Sequence, residues 1–357
     1  MSNQFLGQGL IFIISQPRSG STLLQRVLAG HPSVQTSAET WLMLHPLYAL
    51  KESGINSEFN HRWARRGVED FLTHYTDGDE VYLRALRNWA GELYGNALHR
   101  SGKARFVDKT PRYFFIIPEL FRVLPEAKFV FLLRNPLAVL ASELKTYVKD
   151  RWEILSRFEP DLRLAPDLLL AGMSQLGGAA IPIRYESFVT NPESELRSLC
   201  DRLDLSFLPD MLDYAKTPAP TGRMNDPVGI HQHATPSQSS VEKWRWMLED
   251  PQACHFAEAY LRDLGPDTLN AFGYPYESLI QEFSDCNRSM RGGSRIFPWR
   301  MAIRDRSKWS YWDRVQAERY YCWRMYGGVR GEFRGLRRAL RMAKNGLRDQ
   351  LRLIRES

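Results

Sequence analysis

The sequence predicts an α/β fold: a central, mainly parallel sheet with helices on both faces, in three layers. Three observations carry this. Short apolar runs at 10–16, 104–109, 127–133 and 179–185 are separated by longer segments with apolar residues at helical spacing, the pattern of buried strands joined by crossover helices. The first run passes through a tight polar loop directly into a helix. The third ends at Arg134 and is followed by Asn135-Pro136, an N-cap and a first-turn proline that open another helix.

The stretch LIFIISQPRSGSTLLQRVLAG, residues 10–30, organises the rest. Its loop, Pro17-Arg18-Ser19-Gly20-Ser21-Thr22, feeds a helix whose apolar positions are Leu23, Leu24, Val27 and Leu28. A helix N-terminus offers unpaired N–H groups and the positive end of the dipole, so it favours an anion. Gly20 allows close backbone approach. Ser19, Ser21 and Thr22 add hydroxyl donors and Arg18 a permanent cation. The loop is built for a phosphate-like group. It lacks the Lys of the nucleoside-triphosphate pattern GxxxxGK[ST], and the strand at 127–133 ends in Arg134 where a Mg²⁺-holding enzyme often has Asp. An anionic nucleotide bound without metal is expected.

This combination resembles the sulfotransferases that use 3′-phosphoadenosine 5′-phosphosulfate (PAPS), in the tyrosylprotein-type and bacterial version. Pro17–Thr22 is similar to their P-[KR]-[ST]-G-[ST]-T loop for the 5′-phosphosulfate, and FVFLLRNPLAVLAS supplies Arg134 and, eight residues on, Ser142 for the 3′-phosphate. The resemblance covers about residues 8–250 and implies a P-loop-like three-layer fold. It also implies Arg18, Ser19, Gly20, Ser21, Thr22, Arg134 and Ser142 as nucleotide ligands, with PAPS as co-substrate and no metal.

It gives further roles in chain order. Glu39, shortly after the first helix, stands where the family has its catalytic base; by residue type alone it reads as a charge at a helix N-terminus. Residues 51–101 read as mainly helical, with a core stripe that includes Leu83, Leu86, Trp89, Ala90, Leu93 and Tyr94. In Asp108-Lys109-Thr110-Pro111, Lys109 matches the Lys that reaches the sulfuryl group and its bridging oxygen; a lone Lys at a strand end is otherwise a solvated charge. Tyr185, ending AAIPIRY, lies by the nucleotide in the family, or is an ordinary strand-end Tyr. Ser239-Ser240-Val241-Glu242-Lys243-Trp244 is similar to a late segment that folds over the nucleotide, making Lys243 a phosphate ligand. The Gly-rich closing motif of the cytosolic eukaryotic enzymes is absent. The expected reaction is in-line transfer of a sulfuryl group to a hydroxyl, or less readily an amine, with Glu39, Lys109 and Arg18 as catalytic residues. A nucleotide kinase or NTPase and a non-catalytic nucleotide-binding relative are the alternatives.

The chain has 357 residues and a net charge of +7, unevenly spread: residues 1–287 hold 29 Lys+Arg against 35 Asp+Glu, and residues 288–357 hold 19 against 6. A sulfotransferase domain at 1–287 and a basic, aromatic-rich helical extension at 288–357 are expected, with a linker at Gly292-Gly293-Ser294. The extension carries an apolar stripe through Phe333, Leu336 and Leu340 towards Ile354 among many arginines. It suits a membrane surface, a docking or homo-oligomer contact, or packing on its own domain; no nucleic-acid motif accompanies it. The scattered cysteines Cys200, Cys254, Cys286 and Cys322 read as free thiols of a reducing compartment. His231 and His233 have no third ligand placed by sequence, so no metal is expected. With no basic leader and no run near the ~20 apolar residues that span a bilayer, a cytoplasmic protein is expected, peripheral membrane contact remaining open. The acceptor class (small molecule, glycan or lipid) is not legible.

Overall fold

The computed structural model describes residues 4–217, 235–289, 295–327 and most of 330–341. The His231/His233 pair, the linker at 292–294 and the tail beyond 341 lie outside the described residues. The chain forms two compact units, Met1–Val139 with Asp161–Glu242, and Leu140–Pro160 with Lys243–Ser357.

In the first unit, β1 (Leu10–Ser15), α1 (Ser21–Ala29) and β2 (Val34–Thr36) are followed by α2 (Leu44–Tyr48), α3 (His61–Leu72) and α4 (Asp79–Ser101). Then come β3 (Arg105–Lys109), α5 (Ile117–Val123), β4 (Lys128–Leu133) and α6 (Pro136–Glu143), which runs past the unit boundary at Val139. The unit resumes with α7 (Ala165–Leu176), β5 (Ala180–Arg184), α8 (Tyr185–Thr190) and α9 (Pro192–Arg202). All five strands are parallel, in the order β2-β3-β1-β4-β5. The α/β fold and its flanking helices are as the sequence predicts. The four anticipated strands are present within a residue or two of their expected ends, and the short β2 joins them as the edge strand beside β3.

Strand alternation decides which helix covers which face. Ile11 and Ile13 of β1, with Val107, Val130, Leu132, Ile181 and Ile183, pack with Leu24, Val27 and Leu28 of α1 and with α8 and α9. Phe12 and Phe129 stack on the opposite face, where Phe12 meets the edges of Tyr94 from α4 and Tyr113. Of the stripe read on α4, Leu83, Leu86, Ala90 and Tyr94 are buried, whereas Trp89 and Leu93 stay exposed.

The second unit contains α10 (Pro251–Phe272), α11 (Tyr276–Ser289), α12 (Trp299–Ala302) and α13 (Tyr311–Tyr326). Asp250 caps α10 by accepting from Ala253 N, and the helix kinks at Gly265-Pro266, where proline cannot continue the hydrogen-bond ladder. Ser310 and Asp313 form a capping box at the start of α13. Trp152 Nε1 donates to Tyr320 OH at 2.8 Å, tying the segment 140–160 to α13. No helix among the described residues is long and apolar enough to cross a membrane.

Candidate active site

Because every strand is parallel, every strand ends at the same edge of the sheet, and the polar residues that follow the strands collect there. The turn after β1 carries Arg18–Gly20 into Ser21 and Thr22 at the start of α1, the one after β2 leads to Glu39, β3 ends on Lys109, Arg134 follows β4, and Tyr185 follows β5. Register fixes the spacing: Ile13 lies beside Lys109 and Ser15 beside Leu132.

The first loop is held in an unusual backbone. Arg18 has φ 66° and Gly20, the N-cap of α1, has φ 86° and ψ 15°. The left-handed region disfavours Arg and suits Gly. A Cβ at Gly20 would overlap the Tyr185 ring, so glycine is required here twice over. The loop bends back on itself through Ser19 N donating to Gln16 O, and Gln16 Nε2 reaches Asp161 O at 2.9 Å. Ser19 is fully buried, yet its hydroxyl has no hydrogen-bond partner among the described residues. Beside a helix N-terminus, such an orphaned donor fits a bound oxyanion.

Arg134 clasps the loop from β4. Its Nη1 donates to Arg18 O at 2.6 Å, its Nη2 to Ser240 O at 3.3 Å, and its guanidinium lies 4.3 Å from the Tyr185 ring centroid. This cation–π contact and the Tyr185 OH to Ser240 Oγ hydrogen bond make one cluster of the loop, Arg134, Tyr185 and Ser240. Glu186 Oε1 accepts from Asn135 N and Asn135 Oδ1 from Leu137 N, which fixes the start of α6 behind Arg134.

The second cluster centres on Lys109, only 1% exposed, whose Nζ donates to Glu39 Oε1 at 2.7 Å. Trp41 Nε1 donates to Glu39 Oε2 at 3.3 Å. The exit of β2 that carries Glu39 is braced by α1: Gln25 Nε2 bonds Thr36 Oγ1 and Ser37 O, both at 2.7 Å.

Behind this pair is a feature to which the sequence analysis assigns no role. Asp108 is completely buried, and its Oδ2 accepts from Tyr94 OH at 2.6 Å, Thr40 Oγ1 at 2.7 Å and Tyr113 OH at 3.0 Å, while Oδ1 accepts from Thr110 Oγ1 at 3.1 Å. Thr110 Oγ1 in turn accepts from Trp41 N, and Tyr113 OH from Met43 N. The 39–43 segment is thereby pinned to the end of β3, with Trp41 held at φ 54°. Burial pushes the Asp108 carboxyl above its usual range, and the four hydroxyl donors pull against that rise. Burial, then the Asp108 charge, pushes the Tyr94 and Tyr113 phenols up. A second buried carboxylate, Asp161, takes a fork from Arg112 at 2.6 and 3.0 Å; burial raises it and Arg112 opposes the rise.

The structure therefore brings together Arg18, Ser19, Gly20, Arg134 and Tyr185, and separately pairs Glu39 with Lys109. Ser21 and Thr22 open α1 and are buried. Ser142 stands near the end of α6, and Lys243 is exposed at the start of a short 3-10 helix; both belong to the second unit. From the 239–244 segment it is Ser240 that meets Arg134 and Tyr185. Sequence reasoning missed Asp108, Asp161 and Ser240; only the charge in the middle of FVDKT marked Asp108 as unusual for a buried strand. Among the described residues no group of side chains could hold a metal ion.

The sequence model of the sulfotransferase family matches residues 11–210, more than half of the chain and all five strands. The chain belongs to the sulfotransferase family. It is 33% identical to nodulation protein NoeE of Sinorhizobium fredii over 138 residues, which is 39% of this chain and 32% of that protein. It is 26% identical to a putative protein-tyrosine sulfotransferase of Caenorhabditis briggsae over 212 residues, 57% of this chain and 69% of the other. Protein-tyrosine sulfotransferase 1 of Danio rerio is 26% identical over 200 residues, 55% of this chain and 53% of its own length. The chain thus matches between about a third and two thirds of these relatives. A solved sulfotransferase domain from the curacin biosynthetic pathway is 25% identical, with a TM-score of 0.46, covering 68% of this chain and 92% of that one.

Proposed function

We propose that this sulfotransferase uses PAPS as donor and a hydroxyl group as acceptor. The observation that carries the reading is the Glu39–Lys109 pair, a carboxylate and a buried ammonium 2.7 Å apart, at the strand edge that also carries the Arg18–Thr22 loop and Arg134. The residues suit the donor: an orphaned Ser19 hydroxyl and the α1 N-terminus for the 5′-phosphate, and Arg134 with Tyr185 for the rest of the nucleotide. When bound, PAPS supplies an activated sulfuryl group whose sulfur–oxygen bond breaks as the acceptor oxygen bonds sulfur, leaving 3′-phosphoadenosine 5′-phosphate.

Glu39 takes the acceptor proton. Lys109, which holds that carboxylate in place, also offers its remaining N–H bonds to the oxygen on which negative charge grows as the bond breaks. Arg18 adds positive charge at the loop. The chemistry rests on positioning and charge stabilisation, as in phosphoryl transfer. No metal enters the scheme.

The test is thermal stabilisation by 3′-phosphoadenosine 5′-phosphate and by ATP with Mg²⁺, for wild type and Arg134→Ala. A ligand specific to the folded state raises the melting temperature by mass action. A metal-independent rise with the bisphosphate, lost in Arg134→Ala, is expected. A rise with ATP and Mg²⁺ alone refutes the reading in favour of a kinase or NTPase.

A further inference from the structure

We propose that the helical stretch at 330–341 seats the second unit on an anionic phospholipid bilayer. The described residues of this stretch are helical, and it turns its smallest residues inward. Gly331 and Gly335 are buried. A Cβ at Gly331 would come within 2.5 Å of Trp323 Cα and 2.8 Å of Cys322 O, and one at Gly335 within 3.0 Å of Arg319 Cα. The backbone of the stretch therefore lies directly on α13. An amphipathic helix of a soluble unit does the opposite, burying its large apolar side chains and leaving small or polar ones outside.

Here the large apolar residues face out. Phe333, Leu336 and Leu340 are 62%, 51% and 63% exposed. Their spacing of three and then four residues puts them in one stripe. At 100° per residue, Arg330, Arg334, Arg337 and Arg341 all fall along one flank of that stripe. All four are exposed. The Arg337 guanidinium lies at the apolar edge, 5.8 Å from the Phe333 ring centroid, and that of Arg334 lies 4.0 Å from the Tyr326 ring of α13.

Charge selects the partner. Residues 288–357 hold 19 Lys+Arg against 6 Asp+Glu, so the surface sought is anionic. Nucleic acid offers no use for three exposed Phe and Leu side chains in a row. A protein groove encloses a docked helix on several sides, but one side of this helix is occupied by α13. What remains is a shallow apolar stripe bordered by cations, the shape and chemistry that meet a flat interface, with Phe and Leu entering the acyl boundary and arginines at the phosphates.

The full chain is to be sedimented with extruded vesicles of phosphatidylcholine alone and of phosphatidylcholine with a third phosphatidylglycerol, at 0.15 M salt. Binding to the anionic vesicles at least tenfold tighter than to the neutral ones is expected, weakening at 0.5 M salt. The triple variant Phe333→Ser/Leu336→Ser/Leu340→Ser is expected to lose at least tenfold in that binding with an unchanged melting temperature, since the stripe is exposed. Wild type remaining in the supernatant with both vesicle types overturns the proposal. So does a triple variant that binds like wild type, which would reduce the effect to unspecific attraction of the arginines. A wild-type dimer by light scattering that becomes monomeric in the triple variant, with vesicle binding unchanged, also overturns it and assigns the stripe to self-association.

Discussion

Replacing Asp108 with Ala removes the acceptor shared by four hydroxyl groups in the interior of the first unit. The Thr40 and Tyr113 hydroxyls, 3.1 Å apart, can turn to each other. Tyr94 and Thr110 lose the carboxylate, and leaving a buried donor unsatisfied costs about 1–3 kcal/mol each. Deleting a buried charge returns part of this as relieved desolvation. The net cost is about 3 kcal/mol. Asp108→Asn separates hydrogen bonding from charge. An amide oxygen at the Oδ2 position keeps three of the donors, and the NH₂ group can donate to Thr110 Oγ1. Its cost is about 1 kcal/mol. Hydrogen exchange across 37–48 and 105–113, followed by mass spectrometry, reads this locally. At about 1.4 kcal/mol per decade, Ala accelerates exchange about a hundredfold and Asn less than tenfold. The Glu39 loop opens with it, so kcat falls more in Ala than in Asn. Equal acceleration by Ala and Asn would refute the reasoning, because it would put the stabilisation in the charge and not in the acceptor. An unchanged Ala variant would refute it outright.

The ion pair next to it gives a second expectation: Glu39→Ala strands the buried Lys109 ammonium at a cost of about 3–5 kcal/mol. Denaturant titration is expected to show Glu39→Gln, which keeps an oxygen for Nζ, much nearer wild type in stability while sulfuryl transfer still falls by about 10²–10⁴-fold for want of a base. Gly20→Ala forces a side chain into the Tyr185 ring and a left-handed backbone; thermal shift with 3′-phosphoadenosine 5′-phosphate should shrink sharply, and an undiminished shift would count against the close packing of this loop. For Asp108 the pH sign follows from its raised carboxyl: the folded state holds that proton more tightly than the unfolded one. Its contribution to stability is therefore greatest at low pH and declines as pH rises from about 3.8 through the raised folded value. Subtracting the stability–pH curve of Asp108→Asn from that of wild type should leave this falling component. Glu258 has the opposite sign: burial raises its carboxyl, but hydrogen bonds from Arg262, Asn287 and Ser284 and the Arg262 charge together bring it below its usual range. Its stabilisation of the second unit is present above about pH 4.5 and lost as pH falls through the lowered value, and Glu258→Gln should flatten acid unfolding there.

The sequence by itself determined the strands, the loop and the start of α6, because each is encoded within a few neighbouring residues. A run such as LIFIIS buries itself wherever it is placed, Gly20 answers a local backbone need, and Asn135-Pro136 can open a helix without help from elsewhere. What depends on distant segments was decided only by the tertiary structure. Strand order made β2 the neighbour of β3 and so set Glu39 against Lys109, 70 positions away in the chain. Asp108 reads as a strand-end charge until α4 and the segment at 111–116 bring Tyr94 and Tyr113 to it. Ser240 was carried to Arg134 and Tyr185, since a backbone carbonyl and a small hydroxyl fit that contact and leave no trace in local pattern. The tail shows the same division. Its basic apolar stripe is plain in the sequence, but that glycines pack inward and Phe333, Leu336 and Leu340 face out follows from how closely two helix backbones can approach, which only the folded chain decides.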